Sequence, residues 1–245
     1  MNIALIGLGG MGQVVRRIAL ERGHNVPVVA DTENEEATHA ELSAEALNGV
    51  DMVIDFARAD GVLERIQTCN DAGVSMVMGT TGWYDNLDQV RNVLSGDNIG
   101  FLWSSNFSIG VNLYFQIVQR AAELMNDFDE YDVWGHEIHH FRKADSPSGT
   151  AKTLGKILLD NIERKTVVVE EKLDRKREPN EIHFSSLRGG AVNFRHEIGF
   201  DSEADTIQIT HSARSRDGYA LGAVKAAEWL YGRKGYFEMS DFLNF

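Results

Sequence analysis

The chain has 245 residues, room for one large domain or two small ones. With 43% hydrophobic residues, 25% charged residues and three prolines, its composition excludes a disordered or fibrous protein. A formal net charge of −13 opposes binding to phosphate backbones, and the apolar runs are too short and too often interrupted by charge for a membrane-spanning helix. Neither nucleic acid nor membrane is an expected partner, and without a basic, apolar leader the cytoplasm is the expected compartment.

From the N-terminus, short apolar runs alternate with amphipathic stretches, the pattern of βαβ units and a parallel sheet. The strand candidates are Asn2–Gly7, Asn25–Asp31, Val50–Ala57, Val74–Thr81 and Ile99–Phe107. Helical spacing of Val14, Val15, Ile18 and Ala19 marks a helix over Met11–Arg22, with Gly23 closing it. Cys69 falls in the amphipathic stretch Val62, Ile66, Cys69, where it reads as a small buried hydrophobe. Asp85–Ser95 and Gly110–Asn126 read as further helices, the second with Leu113, Ile117, Val118, Ala121 and Leu124 on one face.

Beyond about residue 128 the pattern becomes alternating: Tyr131–Phe141, Thr166–Lys172, Glu181–Arg188, Val192–Phe200 and Asp205–Arg214 predict an antiparallel or mixed sheet. A helix over Thr150–Arg164 interrupts it, and the charged run Glu170–Asn180 reads as a solvated loop. Asp217–Tyr231 is the last predicted helix, expected to return to the first domain. The fold class is therefore α/β: an N-terminal dinucleotide-binding domain, residues 1–107 and 216–245, plus a smaller α+β domain with a mixed or antiparallel sheet, residues 108–215.

The run Gly7-Leu8-Gly9-Gly10-Met11-Gly12 follows a strand and opens a helix. There, glycines let the backbone turn tightly and approach a pyrophosphate at the positive helix start. Asp31, closing the second strand, is placed to accept hydrogen bonds from an adenosine ribose. Thr32 and Glu33 follow it and no cation stands nearby in the chain, so NADH is expected in preference to NADPH. Two later strand ends, Gly79-Thr80-Thr81 and Ser104-Ser105-Asn106-Phe107, are polar and would rim the nicotinamide end of the cleft; ordinary turn chemistry is the other reading of both.

Between His136 and Lys152 lies a positive island in an acidic protein: His136, His139, His140, Arg142, Lys143 and Lys152 against Glu137 and Asp145. Strand alternation sets His139 opposite to His136 and His140, and no H-E-x-x-H helix or cysteine ligand accompanies them, so no metal is expected. A histidine can donate a proton near neutral pH and a lysine can hold an anionic intermediate. Ser146-Pro147-Ser148-Gly149-Thr150 then opens a helix whose free N–H groups suit a carboxylate, although Ser148 also reads simply as an N-cap.

Glu137-Ile138-His139-His140, Lys143 and Asp145-Ser146-Pro147-Ser148-Gly149-Thr150-Ala151 resemble the signature of the 4-hydroxy-tetrahydrodipicolinate reductase family. Gly7–Gly12, Asp55-Phe56, Gly79–Thr81, Asn106–Ser108 with Gly110–Asn112, and Ser215-Arg216 follow in the family's order, so the resemblance covers nearly the whole chain. It implies a Rossmann domain and a substrate domain that usually forms a homotetramer, acting on a small cyclic dicarboxylate of the diaminopimelate and lysine pathway. By the same resemblance His139 matches the proton donor/acceptor and Lys143 a second proton donor. His140 matches a substrate-binding position, and Gly149 and Thr150 match the pair whose backbone holds a carboxylate. Gly7, Leu8, Gly9, Gly10, Met11, Gly12, Asp31, Gly79, Thr80, Thr81, Ser104, Ser105, Asn106 and Phe107 match cofactor contacts. Many members carry Arg or Lys where Gly10 stands, which weakens any inference of NADPH use. The rival readings are an aspartate- or homoserine-type dehydrogenase and an NAD-binding regulatory protein without turnover. The first explains Gly7–Gly12 but not the double histidine joined to Ser-Pro-Ser-Gly-Thr, and His139 and Lys143 argue against the second, since a binding module needs neither.

Overall fold

The computed structural model describes residues 1–245 and divides them into two units, Met1–Ile109 with Arg216–Phe245, and Gly110–Ser215. The first crossing thus falls after Ile109 rather than after Phe107. No helix is long and apolar enough to cross a membrane.

In the first unit the strands are β1 (Asn2–Ile6), β2 (Asn25–Ala30), β3 (Met52–Asp55), β4 (Ser75–Met78), β5 (Gly100–Trp103) and β11 (Gly235–Glu238). They form one sheet of order β11-β5-β4-β3-β1-β2, parallel throughout. β3 and β4 are buried along nearly their whole length, as expected of parallel strands covered on both faces. One face carries α1 (Gly10–Glu21) and α6 (Asp217–Leu230) over Ile3, Leu5, Ile54 and Val77. The other carries α2 (Val62–Ala72) and α3 (Leu87–Val93), preceded by a 3₁₀ turn at Tyr84–Asn86, over Ala4, Val53, Met76 and Phe101. Cys69 is fully buried in this second layer, as its spacing predicts, and burial pushes its thiol up. The strand order reverses between β1 and β3, the point in such sheets where ligands collect.

The predicted strands of this sheet are each one to five residues longer than the observed ones, mostly because their last residues have turned into the loops at the carboxyl end of the sheet. Two elements near the C-terminus, β11 and α7 (Met239–Leu243), escaped the sequence reading.

The second unit holds α4 (Ile109–Met125), β6 (Asp132–His139), α5 (Gly149–Asn161), β7 (Val167–Val169), β8 (Glu181–Arg188), β9 (Phe194–Asp201) and β10 (Thr206–Ala213). Its five strands run in the order β10-β9-β6-β8-β7, a mixed sheet with β6 parallel to β8 and antiparallel to β9. Its core joins Val118, Ala122, Leu154, Leu158, Ile182, Phe184, Ile198 and Phe200. The predicted face of α4 is corrected here: Val111, Tyr114, Val118 and Ala122 are buried, whereas Leu113, Ile117 and Leu124 are exposed. Both sets fit a helical repeat, and the aromatic-containing set won because Tyr114 fills the core while its hydroxyl donates to the Ile209 carbonyl at 3.0 Å.

Candidate active site

The glycine turn of the first unit is built as a cradle. Gly7 has φ +83°, in the left-handed region that suits glycine, and a Cβ there would stand 2.7 Å from Ala57 N. A Cβ on Gly12 would stand 1.9 Å from the Gly7 carbonyl oxygen, whereas one on Gly9 would meet nothing within 4 Å. The floor is therefore closed and the mouth open. α1 starts on Gly9 without a side-chain cap or an acidic residue in its first turn, so the N–H groups of Gly10, Met11 and Gly12 lack intrahelical partners. Such a turn fits a pyrophosphate.

Asp31 stands beside it, but as a brace as well as a candidate ribose acceptor. Its Oδ2 accepts Leu8 N at 2.6 Å, and its Oδ1 accepts Glu33 N at 2.8 Å and Asn34 N at 3.0 Å. The Glu33 and Leu8 amides hold its carboxyl below the ordinary value. A pocket of about 590 Å³ opens from Gly7, Gly9 and Asp31 past Glu33, Glu41, Arg58, Glu64 and Arg65.

The expectation that no cation stands near this site is overturned by two arginines distant in sequence. Arg58 Nη2 lies 3.2 Å from Glu33 Oε1 in the pocket. Arg216, at the start of α6, places Nη1 2.5 Å from where a Gly10 Cβ would be, filling the space a longer residue at position 10 would need. Arg65 is committed elsewhere, donating to the buried Asp55 carboxylate at 2.7 Å.

The other predicted contacts sit at the carboxyl end of the same sheet. Gly79 is packed so tightly on the Phe56 ring that a Cβ would stand 2.3 Å from it. Thr80 is buried and donates to Asp55 Oδ1 at 2.9 Å, while Thr81 is exposed. Ser104 Oγ donates to the Asn106 carbonyl and accepts Asn106 N; Ser105 is exposed; Phe107 is buried with its ring 6.1 Å from that of Phe56. Thr80, Ser104 and Phe107 thus shape the loops, and Thr81 and Ser105 are left open.

In the second unit β6 alternates as predicted: Glu137 and His139 are buried on one side, His136 and His140 half-buried on the other. Behind His139 lies an unpredicted cluster. Glu137 Oε1 accepts Arg188 Nη2 at 2.7 Å and Ser148 N at 3.1 Å, and its Oε2 accepts Ser148 Oγ and lies 3.2 Å from His196 Nε2. Burial opposes ionisation of Glu137, but the His196, Ser148 and Arg188 donors outweigh it and hold the carboxyl well below the usual range. Burial lowers the His139 ring to about 4, partly opposed by the Glu137 charge, so the free protein holds it neutral at pH 7. Alternation of Glu137 with His139 was the signal for this cluster; Arg188 and His196 carried none, because β8 and β9 meet β6 through register alone.

Ligand atoms of Glu137, His139 and His196 lie within 4.8 Å of one another, close enough to share a cation. Both Glu137 oxygens are already engaged, however, and the Arg188 guanidinium supplies the positive charge.

Ser148 caps α5, its Oγ accepting Ala151 N at 3.2 Å, and Gly149 faces open space at a helix start without acidic residues. Lys143 Nζ donates to Asp145 Oδ1 at 2.7 Å and stays partly exposed; Arg142 is exposed, its guanidinium 5.1 Å from the Phe141 ring centre.

A parallel sheet whose glycine turn fits a pyrophosphate, in a chain whose second unit carries buried histidines and an open helix start, fits the class of two-domain nicotinamide-dependent oxidoreductases. Comparison with known proteins narrows the class. Residues 1–107 match the family model "Dihydrodipicolinate reductase, N-terminus" and residues 110–243 the model "Dihydrodipicolinate reductase, C-terminus". The chain belongs to the dihydrodipicolinate reductase family, NAD(P)H-dependent enzymes of diaminopimelate and lysine biosynthesis. It is 38% identical to the 4-hydroxy-tetrahydrodipicolinate reductase of Christiangramia forsetii, over 100% of this chain and 98% of that one. With the enzyme of the same name from Chromobacterium violaceum it is 41% identical, over 81% of this chain and 75% of the other. A dipicolinate-bound dihydrodipicolinate reductase from Paenisporosarcina sp. TG-14 shares the fold, with a TM-score of 0.79 at 21% identity and 98% of both chains covered.

Proposed function

We propose that the chain reduces 4-hydroxy-tetrahydrodipicolinate with NADH in preference to NADPH, His139 and Lys143 handling the protons and the start of α5 holding a substrate carboxylate. The observation that carries this reading is the open face of Gly149 at the start of α5, in the unit that also presents His139, His140 and Lys143. The Paenisporosarcina relative bound to dipicolinate, a planar cyclic dicarboxylate, supports the substrate class.

Bound NADH would supply the hydride to the conjugated imine left when the 4-hydroxyl departs as water. The residues do the remainder. The Gly149 and Thr150 N–H groups receive one carboxylate with the helix dipole behind them, and His140, Lys143 and Arg142 offset the charge of the pair. A dianion arriving beside neutral His139 raises the ring's affinity for a proton, which it then gives to the reduced substrate.

The preference for NADH rests on the pocket beside Asp31. Asp31, Glu33, Glu41, Asp60 and Glu64 line it against Arg58 and Arg65, and both arginines are paired, so a 2′-phosphate meets an excess of negative charge. The reading also carries a homotetramer in the cytoplasm, which sedimentation analysis checks. The decisive assay follows NADH consumption on the product of a coupled upstream synthase. Turnover with kcat/KM higher for NADH than for NADPH supports the proposal, binding of NADH without turnover restores the regulatory reading, and a marked NADPH advantage removes the cofactor preference.

A further inference from the structure

Strands β6, β8 and β9 and the start of α5 each send a polar group to one buried point, the carboxylate of Glu137. β9 places His196 directly across from Glu137, with Nε2 3.0 Å from Ser148 Oγ and 3.2 Å from Glu137 Oε2. β8 contributes Arg188, whose Nη2 reaches both Glu137 Oε1 at 2.7 Å and the Asp145 carbonyl at 2.5 Å, joining β6 to the loop that carries Lys143. Ser148, the N-cap of α5, gives Glu137 both its backbone N–H and its hydroxyl. Two residues along β6, His139 Nδ1 is buried, makes no hydrogen bond and faces Glu137 Oε2 at 3.5 Å.

An apolar residue would pack this point more cheaply than an ion pair, whose desolvation offsets much of its attraction. What an apolar residue could not do is orient the ring. We infer that Glu137 is a positioning residue of this reductase, holding the His139 proton on Nδ1 and tying that ring to the carboxylate-binding start of α5. With the Nδ1 proton favoured by the carboxylate charge 3.5 Å away, Nε2 is the atom left to exchange a proton with substrate. The charged and titratable groups around the cluster are Arg188 from β8, His196 from β9, His211 from β10 across from His196, and Lys143 and Asp145 from the loop.

The inference rests on His139 being the proton-transfer group, and its test is arranged to separate the two. Nitrogen-15 NMR of the histidine rings reads the tautomer directly, and steady-state kinetics reads the consequence. In the native chain His139 is expected as the Nδ1–H tautomer. Glu137→Gln is expected to shift it toward a mixture and to lower kcat by roughly tenfold to a thousandfold, between the loss of a metal site's outer-shell partner and that of a triad's orienting carboxylate. Ser148→Ala removes the hydroxyl that joins Glu137, His196 and the Ala151 N–H while keeping the Ser148 N–H on Glu137, and is expected to weaken dipicolinate binding about fivefold or more while leaving the tautomer in place, on the scale of one hydrogen bond to a charged group. Should Glu137→Gln fail to fold, Arg188→Lys reads the same tautomer shift. A folded Glu137→Gln protein with an unchanged His139 tautomer and kcat within twofold of native overturns the inference. A changed tautomer with unaltered kcat would instead remove His139 from the chemistry and leave Glu137 as its orienting partner.

Discussion

Glu33 Oε1 lies 3.2 Å from Arg58 Nη2, joining the residue three past the end of β2 to the loop after β3. Both side chains are about three-quarters exposed, so the pair itself contributes little stability. Its expected consequence is for selectivity: the carboxylate occupies the one arginine of the pocket that is not tied to the buried Asp55, and would repel a 2′-phosphate. Glu33→Gln should free Arg58 and improve NADPH binding about tenfold, near 1.4 kcal/mol, with NADH changed far less. Fluorescence titration of both cofactors checks this. The gain must vanish in Glu33→Gln/Arg58→Ala, and its persistence there would show that Arg58 is not the phosphate ligand.

Arg216 makes a contrasting case. Its guanidinium sits over the glycine turn where a side chain at position 10 would otherwise lie, and that turn is common to NADH and NADPH. Arg216→Ala should therefore weaken both cofactors in the same proportion, roughly fivefold to tenfold for one lost charge-assisted contact. Selective loss of NADPH alone would place the arginine at the 2′-phosphate instead.

These two arginines show where sequence reading runs out. Gly7 to Gly12 was legible because a strand, a glycine turn and a helix are local, and His139 against His136 and His140 was legible because strands alternate with period two. Arg58 reaches the pocket beside Asp31, and Arg216 the glycine turn, from distant parts of the chain, and nothing in their neighbours announces it. The same holds for β11, four residues that become a strand by pairing with the distant β5, and for Arg188 and His196, delivered to Glu137 by strand register. The face of α4 was misread for a different reason: two apolar stripes share one helical period, and only the packing of Tyr114 separates them.

A methyl group at position 12 tests the cradle. The Gly12 Cβ would stand 1.9 Å from the Gly7 carbonyl oxygen, which is backbone within a turn already requiring φ +83° at Gly7. Neither side can yield without opening the turn. Gly12→Ala is expected to reduce affinity for either cofactor by more than tenfold and to destabilise the chain by about 1–3 kcal/mol, the usual range for overpacking. Retained binding and an unchanged melting temperature would mean that the turn relaxes freely.

Burial of His139 also predicts how stability depends on pH. Its folded value is about 4 and its unfolded value about 6.5, so between these limits the unfolded chain binds the additional proton. The contribution is fully present above about pH 6.5 and is lost as pH falls toward 4, amounting at most to about 3 kcal/mol. Urea denaturation at pH 7.5 and pH 4.5 should show a larger drop for the native chain than for His139→Gln. His211, also lowered by burial, adds a loss of the same sign in both proteins and cancels in the comparison.

The same depressed value shapes catalysis. If His139 gives the proton, the competent free enzyme is its protonated form, and kcat/KM should decline as pH rises above about 4. kcat should hold to higher pH, because in the complex the substrate's two carboxylates favour the charged ring. The gap between the two limbs measures how far substrate raises the ring's affinity for a proton. His139→Gln should flatten the difference and cut turnover on the order of a hundredfold or more, the usual scale for a lost general acid. Profiles of kcat and kcat/KM that coincide in the native chain and survive the substitution would assign the proton to another group, with Lys143 the first to test by Lys143→Ala. Its ammonium stands partly in solvent, steadied by Asp145 at 2.7 Å.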